Sequence, residues 1–324
     1  MSQVLRVGMI GAGMVSQYHV QGWLDCPEAQ LVAIADPDIE KARDRATKVA
    51  GASAHTSLEE MVAKCNLDAV DIVAPPAAHA ALISRAQAAG LHAICQKPLA
   101  PNADIAKQIM ENKNSSLRSM VHENWRWRHP YRALKAALDR KKVSVPNSFE
   151  FRVESSGLVR NENGIYPALE RQPFFTSMQR LLVFELLIHH LDTLSFLFGD
   201  IKIRSAQLHH QSGVVPGEDG AEILLSAGGI EGKLIGSFCA PDAPPMPRDR
   251  LFLNNSDTPI IDGWSMKLPN EQKRSWDEHV AYQDSYSDTI RHFRHCIGTG
   301  ERFETEIQDA VVLQSAIEQI YEYA

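Results

Sequence analysis

Apolar runs separated by amphipathic stretches fill the first 120 or so residues of the chain. Val4-Leu5-Arg6-Val7-Gly8-Met9-Ile10 is almost continuously apolar, as a strand buried on both faces requires. Leu31–Ala35, Ala69–Ala74, His92–Cys95 and Leu117–Val121 repeat the pattern, with a shorter run at Ala54-His55-Thr56. Between them the spacing predicts helices over Met14–Trp23, Ile39–Ala50, Leu58–Cys65, His79–Ala89 and Asp104–Asn112. The fourth stops at Gly90, where a glycine can take the left-handed conformation that ends a helix. Repeated strand–helix units predict a doubly wound parallel sheet with helices on both faces.

The period changes near Asn124. After a helix expected from Tyr131 to Asp139, Phe149-Glu150-Phe151-Arg152-Val153-Glu154 alternates strictly, with aromatic and Val side chains on one face and charges on the other. Ile201-Lys202-Ile203-Arg204 does the same, and strand-like runs follow at Ala221–Ser226, Lys233–Phe238 and Leu251–Leu253. A long helix is expected from Ser177 to Phe198, and a final helical stretch from Tyr286. The fold class read from this is α/β: a Rossmann domain over residues 1–123, then an α+β domain over 124–324 with a large, mostly antiparallel sheet. A site is expected in the cleft between them.

Composition narrows the partners. The chain has 324 residues, 44% of them hydrophobic, and a net charge of −7, which argues against nucleic acid or an anionic membrane surface. A strand opening within a few residues of Met1 leaves no signal peptide. The most apolar segment, Leu181–Phe198, is interrupted by Glu185, His189, His190 and Asp192, so no membrane span is expected. Five widely spaced cysteines without a CxxC pair suit reduced thiols and a cytoplasmic protein.

The first candidate chemistry lies at Gly11-Ala12-Gly13-Met14-Val15. A strand, a glycine turn, a helix, a second strand and then Asp36, about 20 residues on, form the layout of a dinucleotide site. Gly11 allows the tight turn, and Gly13 lets the backbone approach a pyrophosphate. The N–H groups at the helix start, around Met14 and Val15, meet its charge. Ser16 replaces the third glycine. Asp36 can bind both adenosine ribose hydroxyls and would repel a 2′-phosphate, and Pro37 follows rather than a phosphate-binding Arg or Ser. NAD is therefore favoured over NADP, with Lys41 and Arg43 expected on a solvated helix face.

Three further places carry reactive groups. Gln96-Lys97-Pro98 follows the fifth strand at the carboxyl edge, where open α/β sheets bind ligands. A lysine there can serve as general base or proton donor, or simply be solvated beside a turn. Glu185 and His189 stand four apart on the long helix, about 6 Å along its axis, with Asp192 near the same face. That set is either a self-satisfied polar cluster or a histidine base with its carboxylate. Because His189 and His190 diverge by about 100°, no metal site is expected. Glu123-Asn124-Trp125-Arg126-Trp127-Arg128, at the expected domain boundary, could contact a polar ring or pack a hinge.

Together these features resemble the glucose–fructose oxidoreductase/inositol dehydrogenase (Gfo/Idh/MocA) family over nearly the whole chain. The likeness rests on the glycine loop, Asp36, Ala74-Pro75-Pro76 followed by His79, Gln96-Lys97-Pro98, and Glu185 through Asp192. The resemblance implies NAD as cofactor, held by Gly11, Ala12, Gly13, Met14, Val15, Asp36, Pro37, Ala74, Pro75, His79, Gln96 and Lys97. It implies a sugar or polyol substrate, with Lys97 and His189 handling the hydroxyl proton and Glu185 where the acidic partner of the histidine stands. Trp125, Arg126 and Tyr166 are the expected substrate contacts, and a homodimer or homotetramer is the expected assembly. Two departures stand out. Gln96 replaces a family glutamate, removing a negative charge beside Lys97. Glu185 replaces an aspartate, moving the carboxylate by about 1 Å, an offset that can cost roughly 10²-fold in rate. An NAD-dependent glycoside hydrolase and a non-enzymatic dinucleotide or sugar sensor are the alternative readings.

Overall fold

Six strands pair in parallel in the order β3-β2-β1-β4-β5-β6: β1 (Leu5–Ile10), β2 (Ala29–Ala35), β3 (Ser53–His55), β4 (Ala69–Ile72), β5 (His92–Gln96) and β6 (Ser119–His122). They belong to a computed structural model that describes residues 4–324. Helices α1 (Ser16–Leu24), α2 (Ile39–Ala46), α3 (Leu58–Lys64), α4 (Pro76–Ala88) and α5 (Ala103–Glu111) connect them. The apolar runs are explained by their burial: Val7, Met9, Ala33, Ile34, Ala69, Val70 and Ile94 expose no surface. The strand order reverses between β1 and β4, where sheets of this topology place their ligands. Local signals set the helix starts. Ser57 and Asn102 accept the N–H groups of Glu60 and Ile105, capping α3 and α5. Pro76 opens α4 three residues before the expected start, because its fixed φ suits the first helical position.

The second sheet has eight strands in the order β14-β13-β12-β11-β7-β10-β9-β8. These are β7 (Ser148–Glu154), β8 (Ile201–His209), β9 (Gly220–Ala227), β10 (Ile230–Ser237), β11 (Arg248–Leu253), β12 (Ile261–Asp262), β13 (Ser265–Met266) and β14 (Arg274–Ser275). All pairs are antiparallel except β7 with β10. The alternation in β7 buries Phe149, Phe151 and Val153 on one face. With this sheet go α6 (His129–Asp139), the short α7 (Pro167–Arg171) and α8 (Ile188–Phe198).

Two expectations are corrected. The helix expected from Ser177 to Phe198 starts later and is two pieces: residues 178–181 are not helical, and a π-helical segment at Leu182–Leu187 runs into α8. Its apolar residues are too dense for their spacing to report the winding. The final helix is two, α9 (Glu278–Thr299) and α10 (Ile307–Tyr323), parted at Gly300, which takes φ +78°.

The chain forms two units, each made of two segments. The first joins residues up to 127 with 282–314, and the second joins 128–281 with 315–324. Residues 282–314 pack with the parallel sheet. Phe293 meets Trp23 edge-on at 6.2 Å and stacks on Phe303, and Val121 donates its N–H to the Thr305 carbonyl. Among the described residues no helix is long and apolar enough to cross a membrane, and no group of three or more His, Cys, Asp or Glu could hold a metal ion.

Candidate active site

In the first unit the glycine loop is built around Asp36. Gly11 takes φ +103°, and a Cβ there would lie 2.2 Å from the Val73 carbonyl oxygen, so only glycine fits. Gly13 is different: it is exposed, and a Cβ on it would meet no protein atom within 4 Å. The open space is what a close-lying pyrophosphate needs. Asp36 accepts the Ala12 N–H through one carboxylate oxygen (2.8 Å) and the Asp38 N–H through the other (2.9 Å). Ser16, fully buried in place of the third glycine, donates its hydroxyl to the Gly13 carbonyl at 2.6 Å. No side chain caps the start of α1, so its N–H groups are left for an anion. These residues fit a dinucleotide. Met14 and Pro37 are exposed at the rim, and Val15 is half-buried.

At the carboxyl end of β5 the positions of Gln96 and Lys97 are set from inside the unit. Gln96 Oε1 accepts the Lys97 N–H (2.8 Å), so its amide nitrogen faces His19 Nε2 (2.8 Å). That ring nitrogen must accept, which leaves His19 Nδ1–H to donate to Asp71 (2.8 Å). The indole of Trp23 donates to the same Asp71 oxygen at 2.7 Å. His19 and Asp71 expose no surface and Gln96 only 9%. The Gln96 amide is thus a link in a buried chain, while Lys97 is half-buried at the sheet edge.

His79, expected to touch the cofactor, is fully buried in the first turns of α4. Its Nε2 lies 2.7 Å from the Ala74 carbonyl and its Nδ1 3.0 Å from that of Pro98. A neutral ring donates from one nitrogen only, so His79 ties itself to one of these two carbonyls, between the loops that carry Ala74-Pro75 and Gln96-Lys97. Burial lowers its pKa below 6.5, against the raising effect of those hydrogen bonds. Unfolded, the ring takes up a proton near 6.5; folded, it does so only at lower pH. Its contribution is therefore intact above about 6.5 and is lost as pH falls from there towards the folded value. We expect the melting temperature to fall on acidification below that point, and His79→Gln to flatten the fall; an unchanged profile in the variant would clear His79 of the effect.

In the second unit Glu185 lies in the π-helical segment and His189 in the first turn of α8. His189 and Asp192 are buried (5% and 6% exposed), and Glu185 is half-buried. Glu218, a residue the sequence did not single out, holds the start of this segment. Its Oε1 accepts the N–H groups of Leu181 and Val183 (3.1 and 3.0 Å) and the hydroxyl of Tyr321 (2.6 Å).

His190 is occupied elsewhere. Fully buried, it lies 3.1 Å from the Leu186 carbonyl through Nδ1 and 3.0 Å from Asp249 through Nε2. Asp249 also accepts from Arg128 (3.0 Å) and the Tyr131 hydroxyl (2.5 Å). Burial alone would raise the Asp249 pKa, but His190, Arg128 and Tyr131 outweigh it and hold the carboxyl well below the usual range.

The remaining expected contacts have visible packing roles. Arg126 is 7% exposed and donates to the Glu304 carbonyl at 2.8 Å, and Trp125 meets Tyr282 edge-on at 6.4 Å. Tyr166 precedes α7, with the Arg160 guanidinium 5.4 Å from its ring centre.

Besides Glu218, two more side chains escaped the sequence reading. Arg45 lies 3.5 Å from the Gly13 carbonyl, whereas Lys41 and Arg43 pair with Asp38 and Glu40 on the exposed face of α2, as expected. Its signal was the stripe it shares with buried Ala42 and Ala46. Asp249 had a signal too: in Arg248-Asp249-Arg250-Leu251-Phe252-Leu253 it is in phase with inward-facing Leu251 and Leu253.

Residues 5–122 match the sequence model of a family described as "Oxidoreductase family, NAD-binding Rossmann fold". The chain is 32% identical to D-apiose dehydrogenase of Paraburkholderia graminis over 219 residues, 67% of this chain and 56% of that protein. It is 30% identical to D-apiose dehydrogenase of Rhizobium rhizogenes over 224 residues (68% and 62%), and 27% identical to inositol 2-dehydrogenase 4 of Saccharopolyspora erythraea over 209 residues (64% and 57%). The aligned stretch thus spans less than two thirds of each relative. Among solved structures, an oxidoreductase from Agrobacterium radiobacter in complex with NAD+, L-tartaric acid and magnesium superposes with a TM-score of 0.87 at 24% identity, covering 99% of this chain and 96% of that one. A myo-inositol dehydrogenase from Corynebacterium glutamicum gives 0.79 at 20%, covering 99% and 96%. At these identities the likeness establishes a shared fold.

Proposed function

The chain belongs, through residues 5–122, to the Gfo/Idh/MocA oxidoreductase family with its NAD-binding Rossmann fold, and from that premise we propose that it is an NAD-dependent dehydrogenase oxidising a hydroxyl of a sugar, polyol or sugar derivative. The observation that carries the proposal is the Asp36-anchored glycine loop, with its open space at Gly13, in the same unit as a lysine held at the carboxyl edge of the sheet. NAD, when bound, supplies the hydride acceptor. Gly11, Ala12, Gly13 and the start of α1 hold its pyrophosphate, and Asp36 its adenosine ribose. Lys97 hydrogen-bonds the reacting hydroxyl and, with His189, takes its proton; Glu185 sets the histidine. Trp125, Arg126 and Tyr166 orient the rest of the substrate. The apiose and inositol dehydrogenases among the relatives support this substrate class. A homodimer or homotetramer in the cytoplasm completes the reading, and light scattering on the purified chain tests the assembly.

The reaction is tested by following NADH formation with NAD, and separately NADP, over a panel of aldoses, polyols and sugar acids. Turnover with NAD on one class supports the proposal; no turnover on any of them, with NAD binding demonstrated, removes it. Asp36→Ala removes both the ribose contact and the tether on Ala12. Losing charge-assisted hydrogen bonds of this kind weakens NAD binding by about tenfold or more, roughly 1.4 kcal/mol. Equal affinity in calorimetric titration would take Asp36 out of the site.

A further inference from the structure

The second unit holds a cavity that this reaction does not use. It has a volume of about 390 Å³ and lies between α6 and the β13–β14 edge of the eight-stranded sheet. That size is within the range of small-molecule sites. None of Glu185, His189 or Tyr166 lines it. Its charge is one-sided: four of its twelve lining residues are Arg132, Arg140, Lys142 and Arg274, against a single acid, Glu271. The chain as a whole carries −7.

The hollow follows from the sequence of α6. Positions 129, 132, 133, 136, 137 and 140 share a helical face, and three of them are alanine. Space remains where leucines would fill it, above a floor of buried Met266 and Leu268. Guanidiniums stand on both walls, and two of the three are braced by aromatic rings. Arg132 lies over the Phe196 ring at 4.7 Å and Arg274 over the Trp276 ring at 5.0 Å, so less side-chain freedom is left to lose on binding. The Lys142–Glu271 pair is exposed and 3.7 Å apart, an ion pair of little strength that an incoming anion can exchange. His129 and Trp276, with ring centres 6.0 Å apart, add an aromatic side.

We propose that this cavity binds a small phosphoryl-bearing metabolite. Guanidinium forks match phosphoryl oxygens in geometry as well as charge. Arg132 from α6 and Arg274 from β14 would hold a phosphoryl group from opposite walls, and Trp276 would face the sugar or base attached to it. The site is independent of the dehydrogenase reading and stands or falls without it.

The test is calorimetric titration of inorganic pyrophosphate, and separately of ADP, into the full chain saturated with NAD so that the glycine loop is occupied. We expect saturable binding of one molecule per chain. The double variant Arg132→Gln/Arg274→Gln should weaken it at least tenfold, and Ala136→Leu, which fills the hollow without removing charge, should do the same. NAD affinity should not change in either. Tighter binding of ADP than of pyrophosphate would assign a nucleotide, and equal binding the phosphoryl group alone. Failure of both ligands to saturate, or binding that survives both variants, overturns the proposal.

Discussion

Lys97→Met is expected to lower kcat on the true substrate by at least about 10²-fold while leaving NAD affinity nearly unchanged. Methionine keeps the length and apolar stem of lysine and removes the amine. What is lost is the hydrogen bond to the reacting hydroxyl and a route for its proton, a contribution of about 10²–10⁴-fold for a positioned acid or base. The neighbouring contacts are made without the Lys97 side chain. Gln96 grips the Lys97 backbone N–H and is itself held by His19 and Asp71, so the loop keeps its shape in the variant. Steady-state kinetics with a parallel NAD titration separates the outcomes: a fall in kcat with NAD affinity kept indicates an interaction made in the transition state. Unchanged turnover would remove Lys97 from the chemistry.

The largest expected loss of stability is at Asp249. Asp249→Ala leaves His190, Arg128 and the Tyr131 hydroxyl without their common acceptor in a place that exposes 2% of the residue. Breaking a buried charged cluster on one side costs about 3–5 kcal/mol, because the partners stay desolvated. Denaturation followed by tryptophan fluorescence should show that shift, and a loss below about 1 kcal/mol would mean that the cluster behaves like a surface pair. The cluster also sets an acid limit. The folded carboxyl has a lowered pKa, so its stabilisation is present above the unfolded value of 3.8 and is lost as pH falls below it. Asp249→Ala should lack this acid-induced component.

The doubly wound half of the molecule could be read from sequence because its central strands are buried on both faces and several of its turns are marked by Gly or Pro. Local pattern and global burial say the same thing there. The site was readable as residues but not as geometry. Gly11, Asp36 and Lys97 sit where their spacing put them, whereas His79 turned inward to two carbonyls that no spacing rule reveals. The π-helical turn at Leu182–Leu187 was invisible because five of its six residues are apolar and carry no helical period, and Glu218, which holds it, lies more than 30 residues further on. The assignment of residues 282–314 to the first unit depends on long-range packing such as Phe293 on Trp23, to which local periodicity is blind.

That chain path bears on how the protein is made. Synthesis runs from the N-terminal end, and domains generally fold as units in that order. Here the parallel sheet waits for α9 to cover Trp23 and β6, and the second sheet waits for Tyr321 to reach Glu218. Each half thus completes its packing only with residues beyond 281, so the nascent chain leaves the surfaces they cover exposed for most of its elongation. A fragment stopped at residue 127, however well its strands read as a domain, should need chaperone help and tend to aggregate.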